Sequence, residues 1–175
     1  MLAAVLSVVA LLSAATAVVA PTTWAATPKQ PELYVRQFCQ TEGGVAVYIA
    51  AVLTRVPRDA TVRFAVLPLG EFPFDLEPDR RGRVESSFGL GLTGLDDPQL
   101  GQTVTVRFMV NSAPISEAVT LTCDPTANAP ANKFECGFEV FRFFFGELGY
   151  PFANRGDCVA HVATQSDNPP GRGRG

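Results

Sequence analysis

Few residues of this chain have a type and spacing suited to chemistry. The single histidine, His161, lies four positions after Asp157. On a helix the two would share a side, as an acid–base or metal-binding pair requires, but the same spacing is that of an ordinary surface contact. No G-x-S-x-G, H-E-x-x-H or glycine-rich phosphate loop is present to supply a nucleophile, a zinc site or an anion cradle. Asp75, Glu77 and Asp79 alternate as in the first half of a calcium loop. The pattern then fails, because Arg80 stands where the loop needs glycine and Ser86 where it needs its last carboxylate. Arg80, Arg81 and Arg83 would also repel a cation, so a solvated turn is expected. No catalytic residue, cofactor or metal ligand is assigned, and a non-enzymatic protein is expected.

The four cysteines are Cys39, Cys123, Cys136 and Cys158. They contain no C-x2-4-C pair, which structural zinc sites almost always use. They read instead as two disulfides, with three pairings open, and that places the chain in an oxidising compartment. The N-terminus agrees. Residues 2–20 form an apolar run without charge, the first charged residue being Lys29, and small residues follow at Ala20 and Ala25. Residues 1–25 are therefore expected to be a signal peptide, although a positive n-region is missing; an uncleaved anchor is the alternative. The expected location is secreted or at the cell surface, with no membrane span after cleavage.

Of the 175 residues, 47% are hydrophobic and 18% charged, enough to build one core-bearing domain. Lys and Arg number 14 against 17 Asp and Glu, a net charge of -3. That balance argues against a polyanion binder, and no nucleic acid partner is expected.

The elements that must carry these residues are mostly strands. Val45, Val47, Ile49, Ala51 and Leu53 recur with period two, as do Val62, Phe64 and Val66, and Val104, Val106, Phe108 and Val110. Alternation of this kind is what a half-buried antiparallel strand needs. Further strands are expected at 33–38, 72–76, 84–92 and 119–123. Turn chemistry separates them at Glu42-Gly43-Gly44, Pro57-Arg58-Asp59, 78–82, Asp96-Asp97-Pro98 and 111–114. Six or seven short strands at this spacing predict a mainly β fold, an Ig-like antiparallel β-sandwich over 26–123. Cys39 ends the first strand, and Cys123 falls on the inward face of the last. A bridge between them would tie the two ends of the sandwich, worth roughly 4–5 kcal/mol by loop entropy.

Residues 124–133 read as a linker. Beyond it the period becomes helical: Phe138, Phe141, Phe145 and Leu148 form one stripe. Asn154 can cap a second helix, with Asp157 in a box-like position. Two short helices stapled by a Cys136–Cys158 bridge are expected over 134–166, with a disordered tail over 167–175. Short helices are marginal alone, and the staple would contribute ~3 kcal/mol.

The stretch from Phe152 to Val159 resembles a C-terminal tail found on many secreted actinobacterial and other bacterial proteins. There, F-K-N-Q-G-x-C-V-S follows a C-x-x-G-G-W-like opening by some twenty residues. Phe152, Asn154, Gly156, Cys158 and Val159 match. Ala153 replaces the usual lysine, Arg155 the usual glutamine, and Phe138 or Phe141 would take the role of the tryptophan. Residues 33–123 resemble the Ig-like sandwiches of exported actinobacterial proteins. The resemblance implies an exported protein with a disulfide-bearing tail and brings no catalytic residue with it.

Seven of the 13 phenylalanines lie between 134 and 152. They can pack onto the sandwich, or leave Phe143, Phe144 and Phe145 as an apolar surface for an unknown protein or cell-envelope partner. The chain is expected to be a monomeric binding or structural module. The alternative is a secreted enzyme inhibitor, or an enzyme, acting through loop 71–82.

Overall fold

The structure is a computed structural model that describes residues 29–147 and 152–164. The expected signal peptide, Leu148 of the helical stripe and the 167–175 tail lie outside these residues.

The chain runs through β1 (Glu32–Gln40), β2 (Val45–Thr54), β3 (Val62–Leu67), β4 (Gly70–Glu71), β5 (Val84–Leu92), β6 (Thr103–Val110) and β7 (Ala113–Thr120). Helices α1 (Glu139–Glu147) and α2 (Arg155–Thr164) follow. The strands form two antiparallel sheets, ordered β1-β2-β5 and β4-β3-β6-β7. Their facing sides enclose a mainly aliphatic core that also holds Phe64 and Phe108. Val47, Ile49, Ala51 and Leu53 of β2 meet Val62, Phe64 and Val66 of β3 and Val104, Val106 and Phe108 of β6. These are the alternating positions, each removing apolar surface from water at about 1.5–3 kcal/mol per large side chain.

Two strands differ from the sequence expectation. Residues 72–75 are not strand, and β4 lies earlier, at Gly70–Glu71. Phe72 donates its N–H to Phe64 and Leu76 its own to Val62. Pro73, lacking an N–H, cannot continue a ladder between them. The last strand begins at Ala113 and ends at Thr120, so Cys123 lies beyond it. Asn111 and Ser112 both take positive φ, 47° and 71°, the tight geometry of a two-residue hairpin turn. Val110 and Ala113 therefore pair at once. Glu117 sits in register with Ile115 and Val119 and hides the alternation of this exposed edge strand.

The appendage forms a third layer. Phe138, Phe141, Phe144 and Phe145 pack with Phe38 of β1 and Ala50 and Val52 of β2, on the outer face of the three-stranded sheet. Phe38 is ringed by Phe144 at 5.0 Å and Phe145 at 5.6 Å. Strand β2 is thus buried on both faces, and Ala50 and Val52 are as inaccessible as Ile49. Glu85 of β5 caps α1, accepting the Val140 N–H at 2.8 Å. Asn154 caps α2 as expected, accepting from the Asp157 N–H at 3.1 Å while its amide donates to the Asp157 carboxylate at 3.0 Å.

Both disulfides have the expected partners. Cys39–Cys123 spans 4.9 Å between Cα atoms and Cys136–Cys158 5.7 Å. The segment expected as a linker is instead a strap held to β1. Buried Asn128 accepts the Cys39 N–H at 2.8 Å and donates to the Cys39 carbonyl at 2.6 Å. Its amide takes the place of a neighbouring strand, a role that leaves no trace in hydrophobic periodicity. Arg36 donates to the carbonyls of Ala127 and Ala129 and ion-pairs with Glu135, closing the strap.

Candidate functional site

At one end of the molecule β1 begins, β2 ends and β5 begins, because adjacent antiparallel strands bring alternate ends together. Arg55 leaves β2 with φ 61° and ion-pairs with Glu32 at the start of β1. The turn before β5 is built by Asp79, whose carboxylate accepts the N–H groups of Arg81 at 2.7 Å and Arg83 at 2.9 Å. Gly82 closes it with φ 68°, and a Cβ there would lie 2.6 Å from the Val56 carbonyl oxygen. Only glycine fits so close an approach. The turn consequently holds Arg80 and Arg81 outward beside Arg58, whose guanidinium donates to the Arg80 carbonyl at 2.7 Å.

The appendage supplies the facing wall. Arg83 reaches across to donate to the Gly137 carbonyl at 2.9 Å, and its guanidinium lies 5.6 Å from the Phe138 ring centre. Two grooves result. One, of about 600 Å³, is lined by Lys29, Arg55, Arg58, Arg80 and Arg81 over Pro31, Pro57 and Val110. The other, of about 350 Å³, is lined by Arg55, Arg81, Arg83 and Arg155 with Glu32 and the rings of Tyr34, Phe134 and Phe138. Arg55 and Arg81 belong to both, so the grooves join.

Seven of the chain's 14 lysines and arginines line this track. Arg55 is paired by Glu32, and Arg83 by Asp79 with Glu85 at 3.9 Å. Among the described residues no carboxylate forms an ion pair with Lys29, Arg58, Arg80, Arg81 or Arg155. The Tyr34 hydroxyl, with Arg55 adding, holds the Glu32 carboxyl below its ordinary value. Partial burial works to raise Asp79, but hydrogen bonds from Arg83 and Arg81 overcome it and leave that carboxyl low as well. Both stay ionised at neutral pH, yet seven cations against three carboxylates leave the track positive. Guanidinium groups so placed can grip carboxylate, phosphate or sulfate oxygens through paired N–H donors.

The residues singled out in the sequence lie elsewhere or serve structure. Phe144 and Phe145 are 4% and 0% exposed, so the apolar surface expected at Phe143, Phe144 and Phe145 reduces to Phe143, at 59%. Helix α1 lies across the sheet on a broad face that takes in 144 as well as 138, 141 and 145. Asp157 serves the α2 cap, and the His161 ring lies 5.3 Å from that of Phe152. Asp75 turns to Arg63 at 2.8 Å and Asp79 to Arg83, so the three alternating carboxylates do not converge. No metal-holding group of three or more His, Cys, Asp or Glu occurs among the described residues. A smaller hollow of about 260 Å³ beside Arg36 and Phe141 offers no open cation, because Arg36 is taken up by the strap.

Sequence reasoning missed the arginine track. Its signal was present in Arg80-Arg81-Gly82-Arg83 and in Arg55 and Arg58 at a strand end, but net charge averages such clusters away. No helix among the described residues is long and apolar enough to cross a membrane. No protein-family model matches the chain, and the curated proteins searched contain no match to it.

Proposed function

We propose that this chain is an exported, non-enzymatic binding module, an Ig-like two-sheet framework that takes an anionic extracellular or cell-envelope ligand in the arginine-lined track. One observation carries the reading: five cations that form no ion pair with a carboxylate among the described residues line two joined grooves on a chain whose net charge is -3. Uncompensated cations in a concave surface raise the local concentration of anions and speed their capture. The two disulfides and the resemblance of the C-terminal tail support an oxidising, extracytoplasmic setting.

The test is retention of the disulfide-intact chain on a cation exchanger at neutral pH, where its net charge alone predicts flow-through. Retention that disappears in an Arg58→Glu/Arg81→Glu double variant supports the track. Flow-through of the parent chain overturns it.

A second reading, a protease inhibitor presenting loop 71–82, is favoured by a different observation. Phe72 is anchored by rings of Phe64 at 5.3 Å and Phe88 at 6.3 Å, and Leu76 by Val62, while Phe74 between them is 53% exposed. A loop held at both ends with one apolar side chain displayed suits insertion into a protease pocket. Phe74→Ala would abolish inhibition and leave retention on the exchanger unchanged.

A further inference from the structure

We infer that the ligand of the arginine track is a linear acidic polysaccharide with anionic groups on alternate sugars; the inference rests on the anion-binding reading above. Three features of the track point there together.

The first is length. Arg58 and Arg80 stand in one groove, Arg83 and Arg155 in the other, and Arg55 and Arg81 join them. A single small anion satisfies one end of such a track. A chain with separated anionic groups satisfies both, and the second contact becomes intramolecular once the first has formed.

The second is the aromatic wall between the cations. Phe134 is 42% exposed, with its ring centre 4.6 Å from those of both Tyr34 and Phe138. Supported from behind, it offers an apolar face beside guanidinium groups. The C–H face of a sugar ring packs on such a surface, with its hydrogens toward the negative π cloud.

The third is the presence of carboxylates in the same track. Glu32 lines the aromatic groove, and Asp79 lies behind the Arg81 turn. Carboxylate oxygens accept hydrogen bonds from hydroxyls and repel phosphates. A polymer with a charge on every unit, as in nucleic acid or polyphosphate, meets that repulsion along its length and also the net negative charge of the chain. A polymer with hydroxyl-rich neutral rings between its charges meets less of both, because its charges are spaced further apart.

The experiment is calorimetric titration of the disulfide-intact chain with three probes. These are an octasaccharide alternating glucuronate and N-acetylglucosamine, a neutral N-acetylglucosamine oligomer and an oligothymidylate. The acidic octasaccharide should bind, and the neutral oligomer should not. Arg81→Glu/Arg155→Glu should weaken acidic-sugar binding at least about tenfold, the scale of one lost charge-assisted contact. Phe134→Ser should weaken it about fivefold, on the scale of a lost ring contact of ~1 kcal/mol. All three substituted residues are exposed, and an unchanged melting temperature verifies that the fold survives. If the oligothymidylate binds as tightly as the octasaccharide, or if Phe134→Ser has no effect, the polysaccharide inference falls while the anion-binding reading stands. If neither polyanion binds, or if the neutral oligomer binds equally well, both fall.

Discussion

The outer faces of the two sheets are opposites. On β3 and β6 the outward positions include Arg63, Thr103, Thr105 and Arg107, left to solvent or paired with Asp75 and Glu71. On β1 and β2 they are Tyr34, Phe38, Tyr48, Ala50 and Val52, covered by the aromatic layer of the appendage. One sheet is half-buried, and the other is the middle layer of three. The residues themselves carry the distinction, since β2 reads V-A-V-Y-I-A-A-V-L with no charged side chain on either parity. A strand apolar on both faces must be covered on both faces. The alternation of its bulky residues, seen by itself, conceals this.

The two regions also differ in what ties them. Cys39–Cys123 closes a loop of 84 residues around the mainly aliphatic core, whereas Cys136–Cys158 closes one of 22 within the aromatic layer. Replacing both cysteines of the longer loop with alanine should cost roughly 4–5 kcal/mol, and of the shorter about 3. Chemical denaturation followed by far-UV and near-UV signals checks this. The first variant should shift both signals together. The second should lose the near-UV signal of the phenylalanine cluster ahead of the strand signal. Coincident loss in both would show that the third layer and the two sheets form one cooperative unit.

Asn128 sharpens the contrast, because it holds the strap to β1 with both amide groups. Asn128→Ala leaves the Cys39 N–H and carbonyl unpaired and should cost about 1–3 kcal/mol. Hydrogen exchange should then rise at Cys39 and along 124–135 before it rises in β2 or β6. Uniform acceleration would mean that the strap is integral to the main core.

The smallest expected effects separate the regions by pH. Glu85, dehydrated beneath α1, is pushed above its ordinary 4.5, with the Val140 N–H and Arg83 only partly opposing. The folded chain holds that proton more tightly than the unfolded one. Its contribution to stability is therefore full below about pH 4 and lost as pH rises through the raised value. Asp97, in the loop before β6, is held below 3.8 by the N–H groups of Thr93 and Gln99 and the Thr93 hydroxyl. Its contribution is present above about pH 4 and lost as pH falls. Glu85→Gln should therefore gain in melting temperature on the parent from pH 4 to 7. Asp97→Asn should trail the parent by a constant margin above about pH 4 and close that margin as pH falls from about 4 towards 2. A curve that stays parallel to the parent's through its own range, for either variant, would contradict the assigned direction.

Much of this architecture follows from local pattern. The strands expected over 45–53, 62–66, 84–92 and 104–110 formed in those places, whereas the one expected over 119–123 lies earlier, at 113–120, and Asn154 with Asp157 began α2. The cysteines paired end to end and within the tail. Each depends on spacing within a few residues or on strand ends that the turns define. Phe144 was harder to place, because one helix turn offers two positions for a stripe and only the width of the sheet below chooses between them. The strap and the arginine track were harder still. Arg36 meets Glu135 across 99 positions, and Asn128 meets Cys39 across 89. Lys29, Arg55, Arg81 and Arg155 share a surface only because antiparallel strands return to one end and the appendage docks there. The sequence by itself determined periodicity, turns and the number of crosslinks, which are local properties of the chain. Tertiary structure alone decided which faces were covered and which charges stood together, since both depend on the packing of segments that sequence distance keeps apart.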